Sequence, residues 1–392
     1  MSAIPASPTE KAVNQRVLAQ TMKPSETTPR YLPTPPPPSV KPLPDQRQQQ
    51  EDQGIGRDYR ISALQPDSQG NLWVGSWQGI AKIDPLTGRI LARFSLPNST
   101  IGALAQDKVG RIWVGTYEGL VRLDPQTGEI TAQNFFLPSN KVLSLLIDQR
   151  GYLWVGTDNG LALISPDKGL LMTTVKNLPG VSANVLTLDV QGNLWVGTLE
   201  GLVQIDTASA LILRRVTALP GTTVQALTTQ FVIIKKPIPQ SQKPRRNQVA
   251  KTPAPSRKPG KIQKPVKPQP PQFITIVKSY LWVGTPNGLF ELNPVTGQMM
   301  LAAAKFQERS VTNLQFDRTN RLWVGTSNGL FRVNPLNGTV EGEIAANLPS
   351  RRILSLSSDA GGKLWVGTSE GLAWVSMQTF RTGIHQTFVN GR

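Results

Sequence analysis

A tryptophan-centred pentapeptide recurs seven times along the chain, and no other sequence feature constrains the fold as tightly. It reads LWVGS from Leu72, IWVGT from Ile112, and LWVGT from Leu153, Leu194, Leu281, Leu322 and Leu364. The tryptophans (Trp73, Trp113, Trp154, Trp195, Trp282, Trp323, Trp365) are separated by 40, 41, 41, 87, 41 and 42 residues. The long interval is one repeat carrying 46 extra residues. A leucine stands nine residues before Trp in six repeats, as Leu145 does before Trp154, whereas Leu227 stands 55 before Trp282. The insertion therefore lies between Leu227 and Trp282.

Each unit reads as four short strands. An alternating run such as Val142 to Ile147 is closed by D-x-x-G, as in Asp67 to Gly70, Asp107 to Gly110, Asp148 to Gly151 and Asp189 to Gly192. Asp folds its carboxylate onto the backbone and Gly accepts positive φ, which suits a tight hairpin. The pentapeptide is the second strand. A Gly-Leu pair opens the third, as at Gly119-Leu120, and D/N-P-x-x-G follows, as in Asp124 to Gly128 and Asn334 to Gly338. A weaker fourth strand comes next, such as Ile130 to Phe135. Four strands in about 41 residues, repeated in tandem, predict radially arranged sheets: an all-β, seven-bladed β-propeller of four-stranded blades. Seven units suffice to close a ring. The last outer strand is expected from Phe380 to Val389 alone, rather than with help from residues near Tyr59.

Seven tryptophans at one repeat position read as core between neighbouring blades, with the glycine two residues later leaving room on the same strand face. The turn aspartates read as backbone caps, not calcium ligands.

Charge separates the ring from its additions. The chain carries a formal net charge of +17, yet residues 235–272 alone contain eleven Lys/Arg and no acid: Lys235, Lys236, Lys243, Arg245, Arg246, Lys251, Arg257, Lys258, Lys261, Lys264 and Lys267. That segment and residues 1–57 hold 21 of the 33 prolines. Such composition buries too little apolar area to offset ordering, so a disordered Pro-rich arm (1–57) and a flexible basic insertion (235–272) are expected on a propeller spanning 58–392. Leu32 to Pro44 reads as a polyproline spacer. The flanks Phe231 to Ile234 and Phe273 to Val277 are β-branched and suited to lengthening the hairpin. The basic segment is a candidate polyanion contact. It has no aromatic residue between Lys235 and Gln272 to stack on bases, so such binding is expected to be unspecific and salt-dependent.

Absences narrow the chemistry. With no cysteine and a single histidine, His385, the chain cannot form disulfides, thiolate metal sites or multi-His metal sites. No metal or cofactor is expected. His385 falls outside the repeats and reads as a surface residue. No run of apolar residues is long enough to span a membrane, and no signal peptide is visible from Met1 to Gln20. The default compartment is the cytoplasm, or the periplasm if the true start lies upstream, and a monomer is expected.

The unit xxLxxDxxGxLWVGTxxGLxxxDPxTG, repeated over residues 60–377, resembles the two-component regulator propeller repeat. That repeat occurs in sensor regions of bacterial hybrid histidine kinases and in stand-alone proteins. The resemblance implies a sensing part without kinase chemistry, since the sequence holds no phosphoacceptor helix and no ATP-binding region. Streptogramin lyases are similar seven-bladed rings, but likeness to them would require catalytic histidine chemistry. Quinoprotein dehydrogenases share D-x-x-T-G turns, yet place Trp after the turn, not before it.

Side chains that vary on a repeated frame are where specificity can be written. The turns between second and third strands supply Trp77, Gln78, Tyr117, Glu118, Asp158, Asn159, Glu200, Asn287, Asn328 and Glu370. The blade connections on the same face add Asn98, Asn140, Asn184, Arg309, Arg351 and Arg352. Trp77 and Tyr117 are the strongest anchors, because the repeat needs neither and exposed aromatics dominate contact energy. The expected function is a non-catalytic sensor or scaffold binding a protein, peptide or glycan on this face. The alternatives are a propeller enzyme resembling the lyases and a polyanion-tethered structural module.

Overall fold

The computed structural model describes residues 59–77, 79–96, 99–133, 135–237, 273–344 and 347–388. The N-terminal arm, Gln78, Asn98 and the basic residues from Lys243 to Lys267 lie outside them. Twenty-eight strands form seven antiparallel four-stranded sheets, each built from consecutive strands. The blades span residues 61–94, 101–133, 142–175, 185–216, 226–302, 311–344 and 353–384. Apart from two single-turn 3-10 segments, Ala304–Phe306 and Gln386–Phe388, the described residues are strands and turns. The chain is a seven-bladed β-propeller.

The pentapeptide strand is buried throughout in every blade. Each tryptophan is fully buried in an apolar cluster shared with the next blade: Trp73 packs with Ile101, Leu104, Ile112 and Val114, and Trp154 with Ala183, Leu194 and Val196. The glycine is small for a reason at this junction. A Cβ on Gly75 would stand 2.7 Å from Ile101, and one on Gly115 2.4 Å from Val142, both in the following blade.

The turn aspartates do more than cap. Asp67 Oδ1 accepts the amides of Gln69 and Asn71, while Oδ2 accepts Trp73 Nε1 at 3.1 Å. The same carboxylate–indole bond joins Asp107 to Trp113, Asp148 to Trp154, Asp189 to Trp195 and Asp317 to Trp323. Burial pushes Asp67 up, but the bonds from Asn71 and Trp73, with the Lys82 charge, outweigh it and hold the carboxyl below its ordinary range.

Blades five and seven depart from this pattern. In blade five Gln230 takes the aspartate's place, and Trp282 Nε1 reaches its Oε1 at 3.5 Å. There the first hairpin does not turn: Ala226–Pro237 pairs with Phe273–Thr285 without a break to Pro237↔Phe273. Lys235 and Lys236 are therefore paired strand residues and not part of a loop. In blade seven the turn is Gly361-Gly362, both at positive φ, and Trp365 Nε1 donates to Ala360 O.

The outer strand of blade seven is Thr382–Ile384, paired with Gly371–Ser376, so the ring closes without strand exchange. Blade seven holds blade one through side chains. Ser355 Oγ donates to Ile61 O at 2.9 Å, and Lys363 Nζ to Pro85 O and Leu86 O at 2.8 Å each. His385, expected at the surface, is half-buried in this seam. Its Nε2 lies 2.6 Å from Gly88 O, and its ring packs on Phe388 and Trp365. A carbonyl only accepts, so Nε2 carries the hydrogen of this bond. Burial lowers its pKa against the opposing bond to Gly88, and the Arg93 and Lys363 charges add to the fall.

Candidate functional site

Strand order puts the second-to-third-strand turns and the blade connections on one face, and the D-x-x-G and D/N-P-x-x-G turns on the other. The first set forms the loop face. Its turns share one device: the Thr ending the pentapeptide accepts the amide two residues on, fixing the backbone of Glu118, Asn159, Glu200, Asn287, Asn328 and Glu370. The side chains of these six, like that of Asp158, are exposed.

A cavity of about 300 Å³ opens on this face where the inner strands of blades seven, one, two and three converge. Its lining contains Trp77, Tyr117 and Arg352 together with Arg60, Ser62, Thr100, Ile101, Gly102, Leu143, Leu354 and Ser369. Trp77 and Tyr117 are 40% and 44% exposed, far more than the seven repeat tryptophans. The Tyr117 ring carries Lys141 Nζ 4.9 Å from its centroid, and its amide is tied to Thr100 O. Arg352 is fixed by its carbonyl, which accepts the Ser369 amide at 3.1 Å. Arg351 stands exposed beside it, outside the lining, with its carbonyl bound by Gly329 N. Arg309 lies over the Phe331 ring in blade six.

Three of the loop-face residues singled out in the sequence thus share one cavity, and the other described ones are distributed around that face. Ser62, Gly102, Leu143 and Leu354 escaped notice, although they occupy one repeat position, the second residue of the first strand. That position also varies while its neighbours repeat: blades four, five and six place Asn184, Gln225 and Thr312 there. Asn184 and Thr312 donate to the next blade's Val224 O and Ile353 O, and Gln225 accepts from Ser310. Gly102 in blade two instead brings the backbone close, since a Cβ there would meet Val142 O. One arc of the inner wall is engaged internally, and the arc with Gly102, Leu143 and Leu354 is left to form the cavity.

Charge in the cavity has one sign. Arg60 and Arg352 line it, Lys141 borders it, and none of the lining residues is acidic. Among the described residues no group of three or more His, Asp or Glu could hold a metal ion, and no helix is long and apolar enough to cross a membrane. Of the eleven basic residues in 235–272, Lys235 and Lys236 are described, both exposed at the end of the blade-five hairpin.

Fold and cavity together define a seven-bladed propeller with a cationic, aromatic-edged depression on its loop face. The family model described as two component regulator propeller matches three segments, residues 56–78, 95–118 and 137–159. No curated protein matches the chain in sequence. Among solved structures it is similar to the extracellular domain of a protein described as a hybrid two component system of B. thetaiotaomicron, at 19% identity and a TM-score of 0.57. That match covers 83% of this chain and 41% of the other, so the chain spans under half the length of this relative. It is also similar to virginiamycin B lyase from Staphylococcus aureus, at 15% identity and a TM-score of 0.57, covering 80% and 93%. A form of that lyase with one histidine changed to alanine, solved with quinupristin, is catalytically inactive. A chain of a mitotic checkpoint complex matches at 15% identity and a TM-score of 0.58, covering 91% and 97%. At these identities the likeness is one of fold.

Proposed function

We propose that this propeller is a non-catalytic recognition module of the sensor or scaffold kind, which binds an acidic peptide, protein segment or glycan in the loop-face cavity. The carrying observation is the cavity's composition. Arg60 and Arg352 line it, beside two exposed aromatic rings that can lie against a sugar or side chain. Its volume is at the lower end of ligand pockets, enough for one group of a larger partner. The repeat family and the likeness to a sensor's extracellular domain favour a place in signal transduction.

The lyase alternative is weakened by where the one histidine sits. His385 is held in the seam at the end of the outer strand of blade seven, away from the inner strands that line the cavity, with Nε2 engaged by Gly88 O. Ser, Thr, Tyr, Trp and Arg side chains in the cavity bind and orient, but none is a general base at neutral pH without a partner.

Titration calorimetry against panels of acidic and neutral peptides and glycans tests the reading. Acidic ligands should bind, and Arg352→Ala or Trp77→Ala should weaken them roughly tenfold or more. Binding untouched by these substitutions, or turnover of a cyclic depsipeptide lactone, would overturn it.

A further inference from the structure

We propose that the blade-five hairpin docks the protein onto an anionic membrane surface. In the other blades the first hairpin closes on Leu72 or its equivalent, or one residue before that position in blade seven. Blade five adds eight further pairs, Gln230↔Tyr280 to Pro237↔Phe273, a ribbon about 25 Å long at the usual rise per residue. The third strand, Gly288–Leu292, pairs only as far as Leu281, so the ribbon leaves its sheet behind.

The ribbon's composition contradicts its exposure. A two-stranded ribbon in water is expected to be polar and is at best marginally stable. Here cross-strand partners share a face, so Phe231, Ile233 and Val277 form an apolar strip that resumes at Phe273 beyond the Lys235–Thr275 pair, with Ile233 67%, Phe273 54% and Phe231 51% exposed. Lys235 stands exposed within that face, and Lys236 and Lys278 on the opposite face beside Ile274, itself 53% exposed. Between Asp206 and Glu291 the sequence has fourteen Lys/Arg and no acid at all.

These two properties select the occupant. A nucleic acid or acidic protein surface would answer the charge and leave the strip in water. A second copy would answer the strip but set two cationic ribbons against each other. An anionic bilayer answers both, taking the strip to the headgroup–acyl boundary and the lysines to the phosphates. The ribbon leaves the ring from the turn face, so the loop-face cavity would point away from the lipid. Docking is independent of what that cavity binds.

The test is co-sedimentation of the full chain with phosphatidylcholine vesicles and with vesicles one-third phosphatidylglycerol. A parallel heparin column reads charge alone. Binding is expected only to the anionic vesicles. The double variant Phe231→Ser, Ile233→Ser should lose roughly tenfold or more of it while eluting from heparin at unchanged salt. Because the chain has no cysteine, Ile233→Cys carrying an environment-sensitive dye reads insertion directly, by a blue shift on anionic vesicles. Buried-tryptophan fluorescence checks that each variant is folded. Vesicle binding unchanged in the double variant, an unshifted dye, heparin binding without vesicle binding, or a dimer abolished by the double variant would each overturn the proposal.

Discussion

The junction between blades three and four and the seam between blades seven and one are built from the same repeat positions. Ser144 and Ser355 are equivalent, and each donates to a backbone carbonyl of the neighbouring inner strand, Ala183 O and Ile61 O. Trp154 and Trp365 are equivalent and fully buried. The difference lies further out. Blades three and four are joined by the chain, and Trp154 is anchored by a carboxylate. The seam has no connecting chain, and Trp365 bonds only the carbonyl of Ala360. It carries Lys363 and His385 reaching onto blade one, with the Gly361 turn set so close that a Cβ would stand 2.7 Å from Pro85 C. The seam is thus held by the kind of side-chain bridge that also joins chain-connected blades, as Arg111 to Asp167 and Arg122 to Pro166 O do between blades two and three, but without the covalent link.

The largest effect that could break this comparison comes from the tryptophans. Trp154→Ala and Trp365→Ala should each cost about 3–5 kcal/mol, read by chemical denaturation. Only Trp365→Ala should also release blade seven as a unit, seen as early proteolysis and fast amide exchange there. Simultaneous loss of all blades in both variants would make the junctions alike.

Next come the turn acids. Asp148→Ala removes a buried acceptor of an indole and several amides and should cost about 2–3 kcal/mol. Asp359→Ala, at the matching position of blade seven, removes a 3.7 Å contact with exposed Arg318 and a hydrogen bond accepted from Ser358 Oγ, no indole bond, and should cost about 1 kcal/mol. Equal costs would show that the indole bond contributes little.

A smaller change, Lys363→Met, withdraws the donor from two carbonyls and should cost about 1–2 kcal/mol, confined to the seam. The smallest effect is one of pH. The folded-state pKa of His385 lies below its ordinary 6.5, so the unfolded chain takes the proton first and stability falls as pH drops below that value. The Asp67 carboxyl behaves oppositely in range: its contribution persists above its ordinary 3.8 and is lost only below it. Melting temperature should therefore decline between neutral and mildly acidic pH in wild type and less so in His385→Gln.

The fold was legible because one packing solution is written seven times, so strand number, ring closure and the core role of Trp and Gly follow from spacing. The long blade-five hairpin could likewise be anticipated from its β-branched flanks. What stayed hidden depends on contacts distant in sequence. His385 and Gly88 are 297 residues apart, and no local pattern announces that a tail imidazole serves as a clasp. Gln230 was invisible as the stand-in for a turn aspartate, since no glycine follows it at turn spacing. The cavity was half legible. Variation within the turns pointed to Trp77, Tyr117 and Arg352, while variation within the inner strand, at Ser62, Gly102 and Leu143, is masked by the regular alternation of a strand.

Closure without strand exchange has a consequence for how such a chain changes its size. Among the described residues every blade is built from consecutive strands, and no strand is borrowed from the far end of the ring. Duplicating or deleting a stretch of about 41 residues therefore adds or removes a finished blade and leaves the strand pairing of the first and last blades as before. The chain's diameter is open to unequal recombination in a way that a ring latched by a swapped strand is not, because there the two ends must be inherited together.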